Sequence, residues 1–168
     1  RGLSGEEIQR YSRHILIPEI ELSGQERIVN AKVLCIGAGG LGSPTLMYLA
    51  AAGVGEIGIL DFDKVDISNL QRQIIHTQAD LGKSKVESAK EKILAINENV
   101  KVNTHELKLE VSNAIEIFSK YDLVIDCTDN FATRYLVNDA AALIGMPYVW
   151  GSIYRFDGQT TVFFSKEG

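Results

Sequence analysis

Apolar residues along this chain fall in short runs, and the segments between the runs carry them at helical spacing. The runs at 32–36 (KVLCI), 56–60 (EIGIL), 101–107 (KVNTHEL), 122–127 (DLVIDC), 147–153 (PYVWGSI) and 159–164 (QTTVFF) have strand length, and most are apolar nearly throughout. Such strands are buried on both faces. Residues 42–52 read as a helix with Pro44 in its first turn, where a missing N–H costs nothing. After Gly82 a second helix carries Val86, Ala89, Ile93 and Ile96 and runs to about Asn97. Segments 112–120 and 131–145 continue the pattern. Ahead of the first strand, Ser4-Gly-Glu-Glu7 has capping-box spacing and predicts a helix over 5–14, and Ser23-Gly-Gln-Glu26 repeats the signal before another.

Alternation of strands and helices predicts an α/β class: a Rossmann-like, mainly parallel sheet with helices on both faces and a short helical N-terminal segment. Ligands of such sheets gather outside the carboxyl ends of the strands. Function is therefore expected at 37–42, 61–63 and 127–130, from 151 onward, and in the long aperiodic stretch 62–80.

Composition narrows the classes. With 168 residues, 45% hydrophobic and 23% charged, the chain suits one domain with a sizeable core. A net charge of −5 argues against a nucleic-acid surface. No run approaches the ~18 apolar residues of a membrane span. The polar start RGLSGEEIQRYSRH is unlike a signal peptide, so the chain reads as cytoplasmic. Cys35 and Cys127 each end or interrupt an apolar run and read as buried strand thiols. Two cysteines cannot build a four-cysteine zinc site. The final GQTTVFFSKEG reads as a strand and a polar stop, and as the point where a longer protein was cut.

Candidate chemistry starts at CIGAGGLG. Gly37, Gly39 and Gly42 match the G-x-G-x-x-G spacing that brings backbone N–H groups and a helix N-terminus to a phosphate. A tight strand-to-helix turn gives the same spacing. Asp61, at the end of the second strand, is placed to take the hydroxyls of an adenosine ribose or to shape the next turn. NAD and ATP share that much. The following segment separates them: Asn69 offers an amide, Arg72 a guanidinium fork and Lys85 a compact charge, a set that suits a triphosphate better than a dinucleotide. A solvated lysine and a surface ion pair are the plainer readings of Lys85 and Arg72. Asp129 is a hard oxygen ligand suited to Mg²⁺ or a cap for the next helix, with Asn130 as the competing cap. Asp126, inside its strand, reads as structural. His14, His76 and His105 need no catalytic role.

RYSRHILIPEI, GAGGLGSP, DFDKVDISNLQRQ, GKSK, CTDNFATRYLVND and WGSIYRFDGQ occur in this order across nearly the whole chain. In these motifs the chain resembles the MoeB/ThiF adenylyltransferases, bacterial relatives of the ubiquitin-activating enzymes, and within them the MoeZ-type branch. The resemblance implies ATP- and Mg²⁺-dependent adenylation of the C-terminal Gly-Gly carboxylate of a ubiquitin-like sulfur carrier by a homodimer. It implies nucleotide contacts from Gly37, Gly39, Gly40, Gly42, Asp61, Asp63, Ser68, Asn69, Leu70, Gln71, Arg72, Lys85 and Asn130, and Mg²⁺ at Asp129. It gives Arg13 a role across the dimer, at the γ-phosphate side of the partner's site. Family members continue into a segment with two CxxC pairs that hold structural Zn²⁺, and some into a rhodanese domain. Those features are expected beyond residue 168, so persulfide chemistry is not carried over to this chain.

Overall fold

The computed structural model describes residues 1–166, which leaves Glu167 and Gly168 of the polar stop outside the description. Six strands form one sheet in the order β3-β2-β1-β4-β5-β6. They are β1 (Lys32–Ile36), β2 (Glu56–Leu60), β3 (Lys101–His105), β4 (Leu123–Asp126), β5 (Tyr148–Tyr154) and β6 (Asp157–Phe163). Strands β1 to β5 pair in parallel, and β6 returns antiparallel along β5. The sheet is thus the mixed, mainly parallel one that the alternation predicts.

Two cores cover its faces. One packs β1 and β2 side chains against α4 (Gly42–Ala52) and α5 (Lys85–Ile96), with Leu46, Ala50, Val86, Ala89 and Ile93 fully buried. The other lies under α6 (Val111–Phe118) and α7 (Phe131–Ile144), around Leu34, Phe118, Val124 and Val137. Right-handed crossovers place α4 and α5 on one face and α6 and α7 on the other, because the chain starts at β1, winds outward to β3 and then returns to β4. The reversal opens a crevice between the carboxyl ends of β1 and β4.

The N-terminal segment departs from expectation in two places. The first helix is broken: α1 (Gly5–Arg10), with the Ser4 and Glu7 capping box intact, ends at Tyr11, and α2 (Ser12–Ile15) follows. Tyr11 is buried and its hydroxyl accepts a 2.8 Å bond from Asn97, so the chain bends to seat that ring. The second box, at Ser23, does not form. Helix α3 (Glu21–Asn30) begins three residues earlier than that box predicts, with no side-chain cap. Gln25 explains the shift, because it is fully buried in the helix and donates to the Ala52 carbonyl at 2.9 Å while its own oxygen meets His14. A buried amide with both ends satisfied outweighs a surface cap.

At the crevice, two glycines are demanded by packing. Gly37 has φ of 95°, and a Cβ there would lie 3.1 Å from the Cys127 carbonyl oxygen. A Cβ on Gly42 would fall onto the Gly37 carbonyl, so α4 starts in direct contact with the turn. Gly39 differs, since its Cβ would meet the Gln73 amide at an ordinary 3.5 Å. Gly42→Ala is expected to lose about 1–3 kcal/mol through overpacking. Gly39→Ala should stay within about 0.5 kcal/mol of the parent. Urea denaturation followed by circular dichroism measures both, and equal losses would contradict this division.

Candidate nucleotide site

The turn after β1 is tied down by an acid from β2. Asp61 accepts the Ala38 N–H through Oδ2 at 2.8 Å and the Asp63 N–H through Oδ1 at 2.9 Å. It joins the turn to the start of the long loop, and each oxygen keeps a lone pair for a further donor.

The loop from 62 to 84 is ordered by buried polar groups. It contains two short 3₁₀ turns, Ile67–Asn69 and Gln78–Asp80, where the periodicity predicted none. His76 is buried; Nε2 lies 2.8 Å from the Ala38 carbonyl and Nδ1 lies 2.8 Å from the Ser88 hydroxyl. A carbonyl only accepts, so Nε2 carries the proton, and Nδ1 takes the serine's. Burial pushes the His76 pKa down, which favours this neutral form. Asp80 anchors the far end. Burial alone would push its carboxyl up, yet bonds from the Thr77 hydroxyl and N–H and the ammonium groups of Lys83 and Lys92 hold it well below the usual carboxylate range.

This scaffold presents the cations. Lys85 opens α5 with a side chain only 7% exposed, and its Nζ lies 3.2 Å from Asp63 Oδ2. It is therefore a held charge and not a solvated lysine. Arg72 is exposed, donates to the Ser68 carbonyl and Gln71 Oε1, and has its side-chain stem against Gly40.

Across the crevice, β4 ends in Asp126-Cys127-Thr128-Asp129. Asp126 is fully buried, its Oδ1 accepting the Thr128 N–H and hydroxyl at 2.9 and 2.7 Å. It shapes the turn, as its strand position implies. Asn130 caps α7 through the Thr133 N–H. That settles the competition for the cap and leaves Asp129 exposed, with no bond or ion pair among the described residues. The two thiols, read separately from the sequence, lie together: Cys35 is buried, Cys127 is half-buried just past β4, and their Sγ atoms are 3.8 Å apart.

These elements enclose a cavity of about 810 Å³, within the range of small-molecule sites. Gly37, Gly39, Gly40, Asp61, Asp63, Asn69, Arg72, Lys85, Asp129 and Asn130 line it. Gly42, Ser68, Leu70 and Gln71 do not; Gly42 serves the packing, Ser68 and Gln71 hold Arg72, and Leu70 follows them in the loop. Arg13 lies exposed on α2, outside the wall of its own chain's cavity.

A model of the ThiF family matches residues 11–168. The chain belongs to the ThiF family. Similar relatives include a protein named "Probable adenylyltransferase/sulfurtransferase MoeZ" from Mycobacterium tuberculosis. It is 65% identical over 163 residues, 97% of this chain and 42% of that one. The "Sulfur carrier protein adenylyltransferase" of Thermus thermophilus is 50% identical over 94% of this chain and 58% of its own. Among solved structures, PaaA superposes with a TM-score of 0.86 at 29% identity, over 98% of this chain and 53% of that one. Escherichia coli MccB with AMPCPP and MccA gives 0.83 at 26%, over 96% and 51%. This ThiF-family chain thus spans about half the length of the relatives it matches, or less.

Among the wall residues that sequence reasoning does not single out are Gln73, Lys108 and Arg134. Arg134 had a signal, since it lies four residues past the cap Asn130, one helical turn, and can fold back over the strand end. Lys108 arrives from the segment after β3, and nothing local marks it. One unpaired carboxylate, Asp129, lines the cavity, a hard oxygen donor of the kind Mg²⁺ takes. No group of three His, Cys, Asp or Glu gathers among the described residues. No helix in the described residues is long and apolar enough to cross a membrane.

Asp80 carries a pH prediction. Because its folded pKa is depressed, the stability it contributes is present above the unfolded value of about 3.9 and is lost as pH falls through and below it. Asp80→Asn should lower the melting temperature at pH 7, with the gap to the parent closing as pH falls below about 4. A gap that is constant with pH would show that the ionised Asp80 carboxylate, with its bonds from Thr77, Lys83 and Lys92, adds no stability over the neutral amide.

Proposed function

We propose that this chain is a single adenylation unit that transfers AMP from ATP to the C-terminal Gly-Gly carboxylate of a ubiquitin-like sulfur carrier. The observation that carries this reading is the division of the cavity wall. Held cations, Arg72 and Lys85, flank the glycine turn on one side, and a free carboxylate, Asp129, faces them from the other. A dinucleotide dehydrogenase has no use for that set. The names of the relatives, adenylyltransferases for sulfur carriers among them, support the same direction.

In this reading Asp61 holds the ribose and the turn N–H groups hold phosphate. The acceptor carboxylate is already ionised, so no general base is needed, and His76 is free for its structural task. One carboxylate oxygen bonds to the α-phosphorus while the bond to the bridging oxygen of pyrophosphate breaks, leaving an acyl adenylate and pyrophosphate. Negative charge gathers on the non-bridging oxygens and on the leaving group, where Asn69, Arg72 and Lys85 stabilise it without reorganising. Asp129 would hold Mg²⁺, which supplies further charge neutralisation on the phosphates when bound. The product's activated carboxyl is the electrophile for a later sulfur transfer, and molybdopterin, thiamine and related thio-metabolite syntheses are the pathways this chemistry serves.

ATP/pyrophosphate exchange should depend on a carrier ending in Gly-Gly, and calorimetry should show binding of ATP with Mg²⁺ but not of NAD. NAD binding without ATP binding would overturn the reading; ATP binding without exchange would reduce it to a nucleotide-binding module. Lys85→Ala is expected to slow exchange by roughly 10²- to 10³-fold. For Arg13 the proposal is a homodimer in which it completes the partner's site. Mixing Arg13→Ala with Asp129→Ala chains should then recover exchange that neither has alone, and no recovery would place Arg13 outside the reaction.

A further inference from the structure

The β4–β5 side of the cavity holds a cation to which the proposed reaction has so far given no task. Cys127, Thr128, Asp129, Asn130, Thr133, Arg134 and Ile153 form that side of the wall, and Arg134 is its one positive charge. The guanidinium is fixed in three ways. Nε and Nη2 both donate to the Thr128 carbonyl, at 3.2 and 2.9 Å. Its central carbon lies 5.5 Å from the centre of the Phe131 ring and 5.4 Å from that of Trp150. Two aromatic rings and a carbonyl hold the guanidinium in place. Nη1 has no partner among the described residues.

Strand order decides which ligand this edge meets. Asp61 follows β2, the glycine turn follows β1, Asp129 follows β4 and Trp150 is on β5, so in this reading the wall runs from ribose to phosphate to Asp129 and then to Arg134. A nucleotide laid along this line has its phosphates served by the turn, Arg72 and Lys85 before Arg134 is reached. In this reading the acceptor approaches the α-phosphorus from the β4–β5 side of the cavity, beyond Asp129. A fixed guanidinium edge is the complement of a planar, two-oxygen anion.

Resting on the adenylation reading above, we infer that Arg134 is the group that receives the acceptor's terminal carboxylate and positions it for attack. The fork holds the carboxylate before the new bond to phosphorus forms, so its contribution falls on acceptor binding and not on the nucleotide.

The test is steady-state exchange with the parent protein and with Arg134→Lys and Arg134→Gln, varying a Gly-Gly-terminated carrier and ATP separately. The KM for the carrier should rise roughly 10- to 100-fold in Arg134→Gln, the size of a lost charge-assisted contact, and less in Arg134→Lys. The KM for ATP should change less than about threefold, and calorimetric ATP affinity, which also reports folding, should match the parent. Arg134→Ala with added guanidinium chloride at millimolar concentration should regain carrier-dependent exchange. A parallel rise in the KM for ATP would place Arg134 on the nucleotide, and an unchanged carrier KM would make it a brace for Thr128 alone; either overturns the inference and leaves the adenylation reading standing. Absence of exchange in the parent protein overturns both.

Discussion

Everything at the crevice depends on how closely α4 approaches the turn that feeds it. With Gly42 against the carbonyl of Gly37, and Gly37 itself in a left-handed conformation against the end of β4, three elements meet with no side chain between them. This contact fixes the distance from β1 to β4 at the topological switch point, where side chains would otherwise fill the gap. The cavity wall at this point is backbone, from Gly37, Gly39 and Gly40.

The loop after β2 turns that space into a charged site. Its order comes from inside: His76 bonds the turn on one side and α5 on the other, and Asp80 gathers two lysines beneath the loop. Lys85 and Arg72 are then held before any ligand arrives, and a prepaid geometry of this kind is what transition-state stabilisation requires. The opposite wall uses a different device, with Phe131, Trp150 and the Thr128 carbonyl around Arg134.

Much of this was legible in the sequence. The strand and helix boundaries at 32–36, 42–52 and 56–60 follow from apolar runs, Pro44 and the glycine spacing, all of them local signals. The candidate chemistry of the strand ends also reads directly, since Asp61, Asp129 and the turn glycines lie where parallel topology brings ligands. What escaped depends on contacts distant in sequence. Gln25 moves a helix start because Ala52 offers it a carbonyl, and Tyr11 breaks a helix because Asn97 waits for its hydroxyl. Lys85 looked like a solvated lysine as readily as a ligand because Asp63, its partner, is met only through the loop's fold. Cys35 and Cys127 come together only because β1 pairs with β4.

That pairing has a consequence for how the site comes into being. Strands β1, β2 and β3 pair with near neighbours in the chain, so the half of the cavity lined by Asp61, Arg72 and Lys85 is encoded in one contiguous stretch ending near residue 105. The half that contains Asp129 and Arg134 joins it only when β4 docks on β1 across some of the longest sequence separations in the sheet. Long-range closure of this kind is slow compared with local pairing. During synthesis the chain therefore carries the glycine turn and the Arg72 and Lys85 side of the cavity for a time without the wall formed by Asp129 and Arg134.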